Sequence, residues 1–433
     1  MRDLLVVAIF IVLIIRAFKD PFIGLLAYFW ISFMNPHRFT WGFAYDFPFA
    51  MIASVVTIIS SIMYYKSLKF PSVRETYLFF FIWIYITITT IFSMYPENAF
   101  TQWNIVTKIF LMTFFITLIV NDKKKLIIFL LAIVFFIGVI GIKGSIFGLL
   151  TAGKYRVWGP PDSFLADNNG LGLALVMIAP IGFFLRDLYT NKWIKRALLF
   201  TSLTMVISAI LTYSRGAFIG LVFMGFFIIL KSKNKVFYLV GAALFLIIAL
   251  NVLPSGWFER IETLSDYNAD RSVNMRINSW IMSFNLASSN FFGGGFDCFT
   301  IEQYYKYAPD PELGILLSGK GASTAHSIYF EVLAMHGFGG LIIYSICLIS
   351  MLLSLRTINK IGRMFKELAW VKPISQALFV STIGFMTSGA FLSLAFFDLF
   401  WALYASAICL KTIVNRELAN VNSIMNAPSW FTN

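Results

Sequence analysis

Long apolar stretches broken by short polar runs dominate the chain. They lie at about 4–15, 21–34, 47–64, 77–94, 104–120, 126–150, 168–185, 197–213, 216–230, 236–253, 326–355, 374–395 and 396–413. A backbone in lipid must satisfy its own hydrogen bonds, so repeated apolar stretches of this kind predict helices. A span needs about 20 residues. The first two stretches are shorter than that, and they predict either a re-entrant hairpin or two tilted short helices. The expected fold is all-α: a polytopic transmembrane bundle of about 12 spans, with residues 1–34 ambiguous. The apolar start, Leu4 to Ile15, has no strong basic flank before it and no small-residue cleavage site after it, so it reads as a retained membrane segment.

The polar connections alternate in charge. One set is basic: Lys66/Lys69/Arg74, Lys123/Lys124/Lys125, Arg186/Lys192/Lys195/Arg196, Lys231/Lys233/Lys235 and Arg356/Lys360/Arg363/Lys366/Lys372, with Lys411 and Arg416 in the tail. The other set is 35–46, 95–103, 151–167, the turn at Ser214-Arg215, 254–325 and the turn near Asp398. Basic loops stay in the cytoplasm, so the second set is expected outside. That divides the chain into N-terminal transmembrane helices (1–253), a periplasmic loop or cap (254–325), and C-terminal transmembrane helices with a short cytoplasmic tail (326–433). The large loop holds eight acidic and five basic residues and a Gly293-Gly294-Gly295 run. It is too short for an independent enzyme domain and reads as a cap over the outer mouth of the bundle.

Composition sharpens this. The chain is 59% hydrophobic and only 13% charged, against about 25% charged for a soluble globular protein. An ordinary soluble protein is thereby excluded, and membrane lipids become its surroundings. The net charge of +13 follows from the basic loops rather than from nucleic-acid binding, so no nucleic-acid partner is expected. Cys298, Cys347 and Cys409 are far apart, which suggests neither a disulfide framework nor a metal cluster.

Chemistry concentrates on the outer side. Arg215, in Tyr213-Ser214-Arg215-Gly216-Ala217, stands between two apolar stretches. An arginine at that depth is costly unless solvated or paired. It either snorkels to headgroups or serves an anion site. Arg271 and Arg276 precede Trp280 and the glycine run; each is either a surface residue or a planar fork for phosphate oxygens. His326, in Thr324-Ala325-His326-Ser327-Ile328-Tyr329, opens a long apolar helix. The positive helix end there favours neutral imidazole, the form a general base needs; the alternative is a capping or packing histidine. His336 reads as a buried hydrogen-bonded residue and His37 as an interfacial one. Arg156, Asn168 and Asn169 are weaker candidates for lining the same mouth, in a loop whose Gly and Pro content also fits a plain turn. Phosphate-loop, zinc-protease, nucleophile-elbow and CxxC patterns do not occur. Asp310 and Glu312 form a closely spaced outer acidic pair, but it is late and isolated, and neither a metal site nor a cofactor is expected.

Ser214-Arg215-Gly216-Ala217, Arg276 with Trp280 and Gly-Gly-Gly-Phe, Ala325-His326-Ser327-Ile328-Tyr329 and Gly337-Phe338-Gly339-Gly340-Leu341 occur in that order. In this the chain resembles the O-antigen ligase and O-antigen polymerase superfamily over nearly its whole length. Asn35-Pro36-His37-Arg38-Phe39-Thr40-Trp41-Gly42-Phe43-Ala44-Tyr45 is similar to the branch of exosortase-associated O-glycosylation ligases. The resemblance implies a metal-independent, membrane-embedded GT-C-like glycosyltransferase of the bacterial inner membrane. Its donor would be an undecaprenyl-pyrophosphate-linked glycan. Its acceptor would be lipid A–core, a protein or another glycan, on the periplasmic face. By the same resemblance Arg215 and Arg276 would bind the pyrophosphate, and His326 would activate the acceptor hydroxyl, with inversion by direct displacement. Ser327 and His336 depart from the family, which often has Asn and an acidic residue there. A polysaccharide polymerase would need the same donor site. A lipid-glycan transporter would need charged groups along a path across the bilayer, and a structural export subunit would leave the three polar groups without a task.

Overall fold

The computed structural model describes residues 1–231, 271–316 and 321–425, together with Val236. The expected helix at 236–253, Lys233 and Lys235, and the 254–270 part of the large loop lie outside the described residues. Among the described residues the fold is all-α. Its one β contact is a single bridge between Ile315 and Ala322.

The helices are α1 (Arg2–Ala17), α2 (Pro21–Phe29, continued by a π turn Trp30–Met34), α3 (Phe49–Met63), α4 (Arg74–Ile91), α5 (Pro96–Ile119) and α6 (Lys123–Leu150). Then follow α7 (Asn168–Leu185), α8 (Lys192–Leu211), α9 (Arg215–Lys231), α10 (Arg271–Ser289), α11 (Ile301–Tyr307), α12 (Pro311–Gly314), α13 (Ile328–Met364), α14 (Val371–Gly389) and α15 (Asp398–Met425). Five of them are long and apolar enough to cross a membrane: α5, α6, α7, α8 and α13. Three apolar helices are shorter: α2 with its π turn, α3, and α9. Large apolar side chains stand exposed on the outer helices, among them Leu4, Ile62, Phe81, Phe135 and Phe200. In water such a surface would aggregate; a bilayer covers it.

α7 is the central post. It is hydrophobic all round, and nearly every residue from Asn168 to Leu185 is buried. That is the signature of a helix with neighbours on every side, here α6, α8, α9 and α14. α13, α14 and α15 complete the core around Trp401, Tyr344 and Phe385, all almost fully buried.

The first two apolar stretches form an antiparallel helical pair packed on α3. Asp3 Oδ1 accepts the Gly42 and Ala44 N–H groups at 3.0 and 3.3 Å. The start of α1 therefore lies at the same end of the bundle as the 35–46 connection. At the opposite end, Asn121 donates to Ser67 O (2.7 Å) and Arg416 donates to Asn121 O (3.1 Å), so two basic connections and the basic part of α15 meet there. Glu75 lies beneath them, 2% exposed. It accepts from Ser350 Oγ (2.7 Å), Ser354 Oγ (2.6 Å) and Lys411 Nζ (2.8 Å). A buried carboxylate is tolerable only when paired and fully hydrogen-bonded.

Three boundaries differ from the expected ones. Residues 96–103, expected in a loop, are the first turns of α5; Pro96 at the first helical position and Glu97 in the first turn start a helix well. The 374–395 stretch stops being helical at Gly389, and a turn precedes α15. The 326–355 stretch runs on to Met364 but breaks at Gly337, whose φ of 66° and ψ of −172° are not helical.

Candidate functional site

Five segments meet at the end of the bundle that carries the 35–46 and 151–167 connections. The first is the start of α7. Asp167 caps it, its Oδ1 accepting Asn169 N–H (2.7 Å) and Gly170 N–H (3.2 Å). The second is the α8–α9 turn, held against α7 by Asn168 Nδ2, which donates to Thr212 O at 2.9 Å. Gly172 makes the approach possible: a Cβ there would lie 2.8 Å from Ala217 Cβ and 3.0 Å from Thr212 Oγ1. Tyr213 in this turn has a positive φ of 59°, and Arg215 is the first residue of α9.

The third segment is the turn between α14 and α15. A Cβ on Gly216 would meet Ser388 O at 3.2 Å, so Arg215 starts its helix directly against this turn. Ser393 lies farther along it and accepts the His326 backbone N–H at 2.8 Å. Ser393 Oγ also donates to Thr324 Oγ1 at 3.1 Å. Nearby, Glu331 Oε2 accepts Ala395 N–H (2.9 Å), tying the turn to α13.

The fourth segment is the turn that carries His326, which has φ 45°. Left-handed backbone is rare for a side chain this large and persists only where the surroundings over-determine it. The fifth, α10, supplies part of that constraint. Trp280 Nε1 donates to Ala325 O at 2.8 Å, and the indole stacks on Phe330 with centroids 5.0 Å apart and planes at 7°. Arg276 lies one turn before Trp280 and therefore on the same face of α10.

The electrostatics join these parts. Burial and the Arg276 charge push the His326 imidazole below its ordinary value, and Asp167 pushes partly back. The imidazole is thus neutral near neutral pH, with a lone pair to accept a proton. A cation, a carboxylate and a neutral histidine that influence one another at the end of an apolar bundle make a centre for anion binding and proton removal.

The structure brings His326, Arg276 and Asp167 into electrostatic contact, and links Arg215 to them through the α14–α15 turn. Arg156 lies in the connection that docks on the α8–α9 turn, where its neighbour Val157 donates to Leu211 O at 2.9 Å. Asn169 is half-buried at the start of α7, while the Asn168 side chain is committed to holding Thr212. Arg271 is not brought to this face. It is nine positions before Trp280, which puts it half a turn round α10, and it lines a separate cavity of about 510 Å³ with Asp310 and Leu313. Asp310 and Glu312 are used locally: Asp310 Oδ1 caps Leu313 N–H at 3.2 Å, and Glu312 accepts the Tyr305 hydroxyl. Among the described residues no group of three His, Cys, Asp or Glu side chains is placed to hold a metal.

The glycine run has a different task from the arginines before it. Gly294 and Gly295 donate to Ala334 O and Met335 O, each at 2.8 Å, just before the break in α13. His336 is fully buried there, its Nδ1 2.7 Å from Thr89 Oγ1, and its ring meets Phe296 edge-on at 4.7 Å. Sequence reasoning did not single out Ser393 or the charge on Asp167. Ser393 sits inside an apparently continuous apolar stretch, and its only sequence signal is a brief polar interruption after Ser388-Gly389.

Residues 1–190 match a family of unknown function, DUF5935. Residues 200–345, which hold the α8–α9 turn, α10 and His326, match a family described as O-Antigen ligase. No curated protein matches the chain.

Proposed function

We propose, from the match of residues 200–345 to the O-Antigen ligase family, that the chain is a ligase of the O-antigen ligase and polymerase superfamily. It moves a preassembled glycan from undecaprenyl pyrophosphate to an acceptor hydroxyl on the periplasmic face of the inner membrane. In this reading the end of the bundle with His326 faces the periplasm and the basic end faces the cytoplasm. The bundle spans the bilayer about 12 times when the shorter helices are counted. The observation that carries the proposal is the neutral, half-buried His326, held by Ser393 and Trp280 beside Arg276 and Asp167.

The chemistry follows from charge. The acceptor oxygen attacks the anomeric carbon as the bond to the pyrophosphate oxygen breaks. The bonding pair leaves with the pyrophosphate, which gains negative charge. Preorganised cations stabilise that charge best in a site poor in water, and in this reading Arg276 and Arg215 supply the guanidinium groups. His326 takes the proton from the acceptor hydroxyl. A single displacement inverts the anomeric centre. Arg156 and Asn169 line the approach from the 151–167 connection, and arginines supply the charge that other transferases draw from a metal.

The test is transfer by the full-length protein in nanodiscs with EDTA present. Glycan-loaded undecaprenyl pyrophosphate is the donor, and lipid A–core and a protein acceptor are offered separately. Transfer that survives EDTA and falls by about 10²–10⁴-fold in His326→Ala is expected. Glycan lengthening on the lipid donor would make the protein a polymerase, and undiminished transfer in His326→Ala would remove the general base.

A further inference from the structure

A second cavity, of about 390 Å³, opens at the same end of the bundle, and neither Arg215 nor Arg276 lines it. It falls in the range of small-ligand sites, about 300–1,000 Å³. Asn35, His37, Arg38, Asp162, Ser163 and Asp398 supply its polar groups, and Phe164 supplies an apolar wall. His37 is 8% exposed, yet its Nδ1 has no hydrogen-bond partner. Leaving a buried polar atom unpaired costs free energy that a ligand could recover. Burial and the neighbouring Arg38 push His37 down to about 4, so at neutral pH its ring offers one donor and one acceptor. Asp398 is 7% exposed at the start of α15.

The charge balance says what fits. Arg38 is paired with Asp46 at 3.1 Å and lies over the Tyr45 ring at 4.7 Å. Asp162 accepts the Tyr45 hydroxyl at 2.6 Å, which closes the rim between the 35–46 and 151–167 connections. With its one arginine already matched by Asp46 and a further carboxylate, Asp162, at the rim, the cavity does not favour an anion. It offers mixed donors and acceptors beside an aromatic face, the chemistry that suits a neutral, hydroxyl-rich ring.

Its position says which ring. A narrow cavity adjoins the first and shares Ile109 and Phe164 with it; Glu331 and Ser393 line this second space. Ser393 is the residue that binds the His326 backbone. The two neighbouring spaces thus extend from His37 toward the turn that holds the His326 backbone. Arg215 belongs to α9, which packs on α7, α8 and α14; the cavity is walled from α2, α3, α5 and the start of α15. In a direct displacement the nucleophile enters opposite the leaving group. We infer that the His37 cavity binds a neutral sugar of the acceptor and presents its hydroxyl to His326. The acceptor role rests on the ligase reading. It also gives residues 1–190, the region that matches a family of unknown function, the task of acceptor selection.

The full-length protein in nanodiscs is examined by saturation-transfer NMR with galactose, N-acetylglucosamine and glucuronate as separate probes. Binding of bare undecaprenyl pyrophosphate is measured in parallel. Galactose or N-acetylglucosamine should receive saturation and glucuronate should not. His37→Ala should weaken the neutral sugar about tenfold, the equivalent of one lost hydrogen bond, and Ser163→Ala at the rim should weaken it less. Both variants should keep undecaprenyl-pyrophosphate binding. Arg215→Ala should do the reverse. The inference is overturned if neither neutral sugar binds, or if glucuronate binds as well as they do. It is also overturned if sugar binding is indifferent to both His37→Ala and Ser163→Ala, or is lost in Arg215→Ala. Donor binding that survives Arg215→Ala, with the sugar result intact, would remove the donor assignment and leave the sugar site standing.

Discussion

His326 departs from ordinary behaviour in backbone and in charge, with φ of 45° and an imidazole held below its ordinary value by burial and by Arg276. The two are connected. The left-handed turn lets the backbone N–H reach Ser393 at 2.8 Å while Trp280 holds the preceding carbonyl. A histidine fixed by its backbone keeps its ring free for substrate. The charges around it set the pH at which it can act as a base. Asp167 raises its proton affinity and Arg276 lowers it, so removing each should move the acid limb of the kcat/KM profile in opposite directions. Asp167→Asn keeps an N-capping side chain and removes the charge, so the limb should shift to lower pH. Arg276→Gln should shift it to higher pH, whatever it does to the maximal rate. Profiles measured from about pH 5 to 8, where imidazoles titrate, decide this; limbs unmoved in both variants would show that neither charge acts on the titrating group. His326 and Arg276 stood out in the sequence by residue type and order. Asp167 did not, because an aspartate before a helix is ordinarily just a cap.

At the scale of elements, the pairing of the glycine run with the break in α13 fixes how the segment 290–300 meets the bundle. Gly337 leaves the helical region with φ of 66°, and Gly294 and Gly295 donate to the carbonyls of Ala334 and Met335, each at 2.8 Å. Gly293 and Gly337 approach backbone to backbone: a Cβ on Gly337 would lie 2.3 Å from Phe291 O. Gly337→Ala therefore adds strain and a clash, of order 1–3 kcal/mol for the backbone alone. It should lower the thermal unfolding midpoint in detergent and make residues 290–300 more sensitive to protease. A midpoint equal to that of the unchanged protein would mean the break can relax into helix. None of this was legible locally. Gly-Gly-Gly-Phe and Gly-Phe-Gly-Gly read as separate motifs more than 30 residues apart, and only the fold shows that one completes the other. His336 was legible, since a histidine deep in an apolar helix needs a partner, and it meets Thr89.

For the whole molecule, apolar period and loop charge carried most of the architecture into the sequence. The basic connections joined by Asn121 and Arg416 gather at one end, and the candidate site forms at the other. What stayed hidden were helix ends within unbroken apolar runs, such as Gly389 before the Ser393 turn, because lipid-facing and protein-facing positions are equally apolar. The proposed sidedness rests on the loop charges and the positive-inside rule, and it is directly testable because the native thiols are silent. Cys298, Cys347 and Cys409 are free and buried, and burial pushes the Cys298 thiol up, so little thiolate is available to react. Trp158, 57% exposed in the connection at the site end, and Lys66, exposed at the basic end, can each be replaced by cysteine. In intact cells a membrane-impermeant maleimide should label Trp158→Cys and spare Lys66→Cys, which should react only after permeabilisation. The opposite pattern would turn the bundle over, put His326 on the cytoplasmic side, and require a donor presented on that face.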